Sequence, residues 1–256
     1  MSQVMSAFTT RSFSRLALLH VVANAILLSL GYYWLGVGES RALTVAWSAC
    51  LAIVIAILTC CCYGAALVYF QAGDRETSLA WRTALRNIIP LVSVAAMAGA
   101  IYWLLHRWSD YSGTPAFSIA SFLTLKLRTP IKPPSVQRIF NVALWIVRWA
   151  VVPVLLLPAV AAIATRGWDG MREIGSHARR CLYWLEAPLL LLCGFWIPLM
   201  LLGWVPSVGT FTMETLSFVV RAALAYLLFA GAWLLLAFVT SAGSPRLTQP
   251  STTDSL

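Results

Sequence analysis

Between Phe13 and Thr240 the chain passes six times through twenty or more predominantly apolar residues, with a polar connection after each passage. About 20 such residues are what a helix needs to cross the hydrocarbon core of a bilayer. The runs cover Phe13–Leu35, Ala42–Phe70, Ala84–His106, Phe140–Thr165, Trp184–Val205 and Thr215–Thr240. They use up almost the whole chain, in which 60% of 256 residues are hydrophobic and 11% are charged. A soluble domain of this length needs a polar surface that such a composition does not supply. The expected fold is all-α: a single polytopic bundle of about six transmembrane helices over residues 1–240. Residues 241–256, "SAGSPRLTQPSTTDSL", read as a disordered polar tail.

The first run follows Arg11 and Arg15, as the apolar core of a secretory signal would. It is much longer than such a core and ends in "GYYWLG" with no small-residue cleavage site, so it reads as a retained helix. Tyr32, Tyr33, Trp34, Tyr102, Trp103, Trp145 and Trp149 mark span ends in the manner of interfacial aromatic belts. Pro153, Pro158, Pro188 and Pro198 fall inside the fourth and fifth runs, where neighbouring helices must satisfy the carbonyls they free.

Orientation follows from Lys and Arg. Six spans put both termini on one side with Arg11, Arg15, Arg75, Arg82, Arg86, Arg166, Arg172, Arg179, Arg180 and Arg246. The opposite side carries Arg41, Arg107, Lys126, Arg128, Lys132 and Arg138. The bias favours cytoplasmic termini in the inner membrane of a bacterium, although the basic residues of loop 107–139 run against it. The same bias accounts for the net charge of +9 without any nucleic-acid partner.

Two connections on the terminal side resemble each other. "GDRETSLAWRTALRNIIP" (73–90) and "MREIGSHARRCLYWLEAP" (171–188) align at an offset of 98, matching Ser78 with Ser176, Ala80 with Ala178, Arg82 with Arg180 and Pro90 with Pro188. In the first, Trp81, Ala84, Leu85 and Ile88 share one helical face and Arg75, Arg82 and Arg86 another. In the second, Met171, Ile174, Ala178, Leu182 and Leu185 oppose Arg172, Ser176, Arg179 and Arg180. Asp74 and Asp169 are candidate N-caps. Both read as amphipathic helices on the inner leaflet, with Arg near lipid phosphates. They point either to an internal duplication or to convergence of basic connectors. On the other side, Leu123, Leu125 and Leu127 alternate with Thr124, Lys126 and Arg128, a strand-like or surface-lying pattern broken by Pro130, Pro133 and Pro134.

Chemistry-bearing residues are few. Cys60, Cys61 and Cys62 stand in a row, but consecutive side chains on a helix diverge by about 100°, so they do not converge on one ion. They read as close packing, with palmitoylation or thiol sensing as the alternative. His20 and Asn24, four residues apart, share a face and serve either as helix–helix glue or as part of a polar path. Arg148, flanked by Trp145 and Trp149, reads as a snorkelling residue. Arg221 reads as interfacial or paired with Glu214. If Arg148 and Arg221 converge, they form an anion pocket. Glu186 stands near Arg179 and Arg180, where a local ion pair is expected. No nucleophile motif, zinc-protease helix, phosphate-binding loop or pair of intramembrane aspartates occurs, so no catalysis, metal or cofactor is expected.

The basic connectors, each leading through Pro90 or Pro188 into the next span, resemble those of bacterial six-helix membrane proteins of the YciC-like type and of the membrane domain fused to some glycerophosphodiester phosphodiesterases. The resemblance covers roughly residues 40–240 and implies architecture only. The expected function is a non-enzymatic membrane-organising component that binds anionic lipid or a protein partner, or self-associates, through Arg75, Arg82, Arg86, Arg172, Arg179 and Arg180. The alternative is a small transporter or lipid-handling protein using His20, Asn24, Arg148 and Arg221.

Overall fold

A computed structural model of the chain describes residues 11–38, 40–71, 76–176, 179–205 and 210–242. The expected polar tail therefore lies outside the described residues from 243 onward, as do Arg75, Asp74 and Ala178. No strand occurs among the described residues, and six helical segments are long and apolar enough to cross a membrane. The chain is an all-α polytopic protein.

Helix α1 (Arg11–Leu35) crosses from the end where the chain begins to the opposite end, and α2 (Ala42–Gln71) returns. A short helix α3 (Thr77–Arg86) leads into the third span, α4 (Ile88–Tyr111). A hairpin of α5 (Gly113–Leu127) and the start of α6 (Pro133–Ile146) caps the far end. The fourth span continues through a π turn at Val147–Val151 into α7 (Val152–Arg166). A 3-10 turn, Gly167–Glu173, follows. The fifth span joins α8 (Tyr183–Leu191), a second π turn at Leu192–Trp196 and α9 (Ile197–Gly203). The sixth is α10 (Phe211–Ser241). Phe13, Phe70 and Phe238 form a chain of ring contacts, which places the start of α1 and the ends of α2 and α10 at one terminal end.

Helix α2 is the central element. From Cys61 to Tyr69 it is buried on nearly every side, as a helix apolar all round should be. Its small residues admit close neighbours: a side chain at Gly64 would meet Leu91 Cδ1 at 3.0 Å and Ala84 Cβ at 3.6 Å. The main core therefore gathers near the terminal end, where Leu16, Ala65, Leu67, Tyr69, Ala80, Ala84, Leu91, Ile163, Leu234 and Ala237 pack together. The far halves of α1, α2 and α10 carry exposed apolar side chains, among them Leu28, Ile53 and Val219, as lipid-facing surfaces do.

Both π turns stand immediately before a proline, Pro153 and Pro198. In the first, the Val152 amide bonds to Val147 O in the wider register. The next amide in that register would belong to Pro153, which has none, so Arg148 O loses its intrahelical donor. The Tyr102 hydroxyl of α4 donates to it at 2.8 Å.

The two connectors differ from one another. The first forms α3, with Ala80 and Ala84 buried, Trp81 half-buried and Leu85 exposed. The second forms no amphipathic α-helix among its described residues. After α7 the chain reverses at Gly167, whose φ of +64° suits glycine, and turns again at Gly175 with φ +71°. The Gly175 amide donates to Leu155 O at 3.1 Å, so this segment lies back along α7. Asp169 sits inside the 3-10 turn rather than at a helix start. The sequence likeness at offset 98 thus has no counterpart in local structure. The region around Leu123–Arg128 also departs from expectation: it is helical to Leu127, because Ala116 and Ala120 recur at helical spacing and pack on Val136.

The tightest approach in the fold is at Gly170, where a β-carbon would stand 2.3 Å from Ile163 N and 2.4 Å from Ala162 C. Replacing Gly170 by Ala is expected to cost about 1–3 kcal/mol, because backbone rather than a movable side chain is in the way. Gly31→Ala, where nothing lies within 4 Å, should be neutral or add about 0.5–1 kcal/mol by favouring the helix. Thermal unfolding of the two variants in detergent separates these outcomes, and equal behaviour contradicts the packing described.

Candidate functional site

The largest buried polar cluster joins α1, α2 and α10. His20 and Asn24 lie on the inward face of α1, 2% and 3% exposed. Asn24 Nδ2 donates to His20 O at 2.8 Å, and the Tyr63 hydroxyl donates to Asn24 Oδ1 at 2.6 Å. Cys62 Sγ lies 3.3 Å from His20 Nδ1. The Tyr63 ring packs edge-on against His20 at 5.4 Å and Trp233 at 4.7 Å between centroids. From α10, the Tyr226 hydroxyl donates to Val21 O. His20 Nε2 and Trp233 Nε1 are buried without a hydrogen-bond partner. The cluster pins three spans in register. A thiol beside an imidazole is a nucleophile's arrangement, but both groups are sealed from solvent, so no substrate meets them.

The cysteine triplet therefore splits by direction, as helix geometry requires. Cys61 and Cys62 are buried, Cys60 is half-buried, and all six cysteines are free thiols. Cys62 adds a polar contact to its packing role. Among the described residues no group of three or more His, Cys, Asp or Glu could hold a metal.

Arg148 and Arg221 take separate partners and form no common pocket. Arg148, on the first π turn, donates from Nη2 to Leu105 O of α4 at 2.7 Å, while its Nε is buried and unpartnered. Its guanidinium is anchored to a carbonyl near the far end of α4. Arg221 donates from Nη1 to Leu201 O at 3.3 Å and lies 6.0 Å from the Trp204 ring centroid. Leu201 belongs to the last turn of α9, whose carbonyls lack helical donors, so Arg221 serves as a C-terminal cap from the next span. The expected pairing with Glu214 does not form, nor does one between Glu186 and Arg179 or Arg180.

The terminal end carries the described arginines of the two connectors. Arg82 and Arg86 stand one turn apart on the exposed face of α3, and Arg172, Arg179 and Arg180 are exposed on the connector after α7. The single ion pair among the described residues joins Arg166 to Glu173 at 3.0 Å. Asn87, between α3 and α4, donates to Ala164 O at 3.0 Å and so caps α7. The Thr165 hydroxyl donates to Gln71 Oε1 at 3.1 Å. The Asn87 bond ties the first connector to the end of α7, the Thr165 bond ties that end to α2, and the Arg166–Glu173 pair holds the start of the second connector to α7.

The polar cluster yields a double-mutant test. Tyr63→Phe and Asn24→Leu should each lower stability in detergent by about 0.5–2 kcal/mol, the range for hydrogen bonds between membrane helices. Because each removes the same contact, the double variant should lose less than the sum of the two. Strict additivity in thermal unfolding contradicts the bond.

Comparison with known protein families, with curated proteins and with solved structures found no match to this chain.

Proposed function

We propose that this membrane protein is a non-enzymatic organising component of a bacterial cytoplasmic membrane, with both termini inside, that holds anionic lipid head groups at its terminal end. The observation that carries this reading is the exposed set Arg82, Arg86, Arg172, Arg179 and Arg180, none in an ion pair among the described residues. They project from segments that the buried Ala80, Ala84 and Gly170 fix to the bundle. A guanidinium offers a planar fork of donors suited to phosphate, and each cation near an anionic surface contributes on the order of 1 kcal/mol. The layout also resembles the YciC-like six-helix proteins, although of the two connectors that carry that likeness only the first is an α-helix.

A small carrier is the second reading, and it draws on the unpartnered His20 Nε2 and Trp233 Nε1 inside the bundle. Against it stands the separation of the four intramembrane polar residues, which take partners in three different places.

Native mass spectrometry of the protein released from nanodiscs distinguishes the two. Wild type should retain phosphatidylglycerol in preference to phosphatidylcholine. Neutralising Arg82, Arg86, Arg179 and Arg180 together to Gln should cut that retention on the order of tenfold or more, whereas His20→Ala should leave it unchanged. Retention that survives the fourfold change refutes the proposal.

A further inference from the structure

The α5–α6 hairpin at the far end from the termini has a chemistry that the terminal arginines do not explain. From Tyr111 to Trp168 the sequence contains no Asp or Glu, while Lys126, Arg128, Lys132 and Arg138 fall within or beside the hairpin and are all exposed. Between its two helices an open groove of about 430 Å³ is lined by Phe117, Ala120, Ser121, Leu125 and Ile131. Its lining residue Ala120 is buried against Val136 of α6, and the Thr124 hydroxyl accepts the Ile131 amide at 3.0 Å, which fixes the turn. At the other end of the hairpin, Gln137 Nε2 donates to the buried Ser112 Oγ at 2.5 Å.

The cations gather at the turn, where the groove ends. Lys126 Nζ stands 5.9 Å from the Phe122 ring centroid, a cation–π distance that holds the ammonium on the face of α5 away from the groove, whereas Lys132 stands between the lining residues Ile131 and Pro133. Arg128 follows α5 with φ +52°, among the described residues the one non-glycine residue with a left-handed backbone. Helix ends in that conformation normally carry Gly, because a β-carbon is strained there. An arginine at such a position keeps its strain in exchange for a guanidinium, and strained residues gather at ligand sites. Positive charge here also runs against the distribution of short membrane loops if the termini are cytoplasmic.

We infer that the α5–α6 hairpin is a binding site for one anionic phospholipid of the leaflet opposite the termini. An acyl chain lies in the groove, and the phosphate rests by Arg128 and Lys132, with Lys126 adding positive charge at the same turn. The hairpin lies between the third and fourth spans, at their end opposite the termini. Its exposed Phe117, Phe122 and Leu125 face a medium that must be apolar, which selects a lipid over a soluble peptide. The surplus of cations with no carboxylate selects an anionic head group. This inference does not rest on the lipid binding proposed for the terminal end.

The test uses the full chain in nanodiscs doped with phosphatidylglycerol or phosphatidylcholine carrying a photoactivatable acyl chain, with crosslinks mapped by peptide mass spectrometry. Phosphatidylglycerol should crosslink residues 117–133 at least fivefold more than phosphatidylcholine does. The triple change Lys126→Gln, Arg128→Gln, Lys132→Gln should abolish that preference. Ser121→Trp, on the exposed groove wall, should suppress crosslinking by both probes. Arg128→Gly should hold or raise the melting temperature while lowering phosphatidylglycerol labelling severalfold, which separates loss of the site from loss of the fold. Equal labelling by the two lipids in wild type, or wild-type labelling in the triple or Arg128→Gly variant, overturns the inference.

Discussion

Inside the hydrocarbon layer there is no water to take up a stray hydrogen bond, and this structure is organised around that constraint. At several places where a helix is interrupted or ends, another part of the chain donates to a carbonyl there. Tyr102 donates to Arg148 O above the proline-broken fourth span, and Asn87 donates to Ala164 O at its lower end. Arg221 donates to Leu201 O at the frayed end of the fifth, and the Gly175 amide donates to Leu155 O. The Tyr102 and Arg221 bonds join different spans, so the repair of local defects also sets the register of the bundle. Ala65, Ala84, Ala161 and Gly64 let the helices come close enough for the bonds to form.

The same constraint decides where function sits. Polar side chains that one might gather into a path are instead spent on neighbours: His20 and Asn24 on Cys62 and Tyr63, Arg148 on Leu105, Arg221 on Leu201. Within the bundle His20 Nε2, Trp233 Nε1 and Arg148 Nε keep no partner, and the exposed charges gather at its two ends. The terminal end presents guanidinium groups on anchored connectors, and the far end presents a cationic hairpin over an apolar groove. Both suit the charged surface of a bilayer better than a substrate passing through it.

Much of this was legible in the sequence, for identifiable reasons. Span number and approximate bounds follow from run length alone, and the shared face of His20 and Asn24 follows from their spacing. Their partners did not show, because which face of α2 meets α1 is settled by packing across the whole bundle. The fourth span began earlier than expected, at Pro133 rather than Phe140, since Ser135, Gln137 and Arg138 extend the helix beyond the apolar layer. The alternation at Leu123–Arg128 imitated a strand over six residues, while the helical spacing of Ala116 and Ala120 carried the true period. In the second connector an amphipathic pattern masked three glycines: Gly167 and Gly175, whose positive φ bends the chain back, and Gly170, whose missing side chain lets it lie against the α7 backbone. The two isolated arginines looked like a pair because nothing in a linear reading reveals which carbonyls the prolines and helix ends release.

The claim that the bundle interior is closed to water is most directly tested at Cys62. In sealed vesicles, the native cysteines would be treated with a membrane-impermeant maleimide from each side and the labelled peptides quantified. Cys181, exposed at the terminal end, should label readily from its own side. Cys62, buried against His20, should stay unlabelled from both sides until the protein is denatured. Labelling of Cys62 in the folded protein from either side would mean that water reaches the His20–Asn24 cluster. The account of a sealed bundle that works through its two ends would then be wrong.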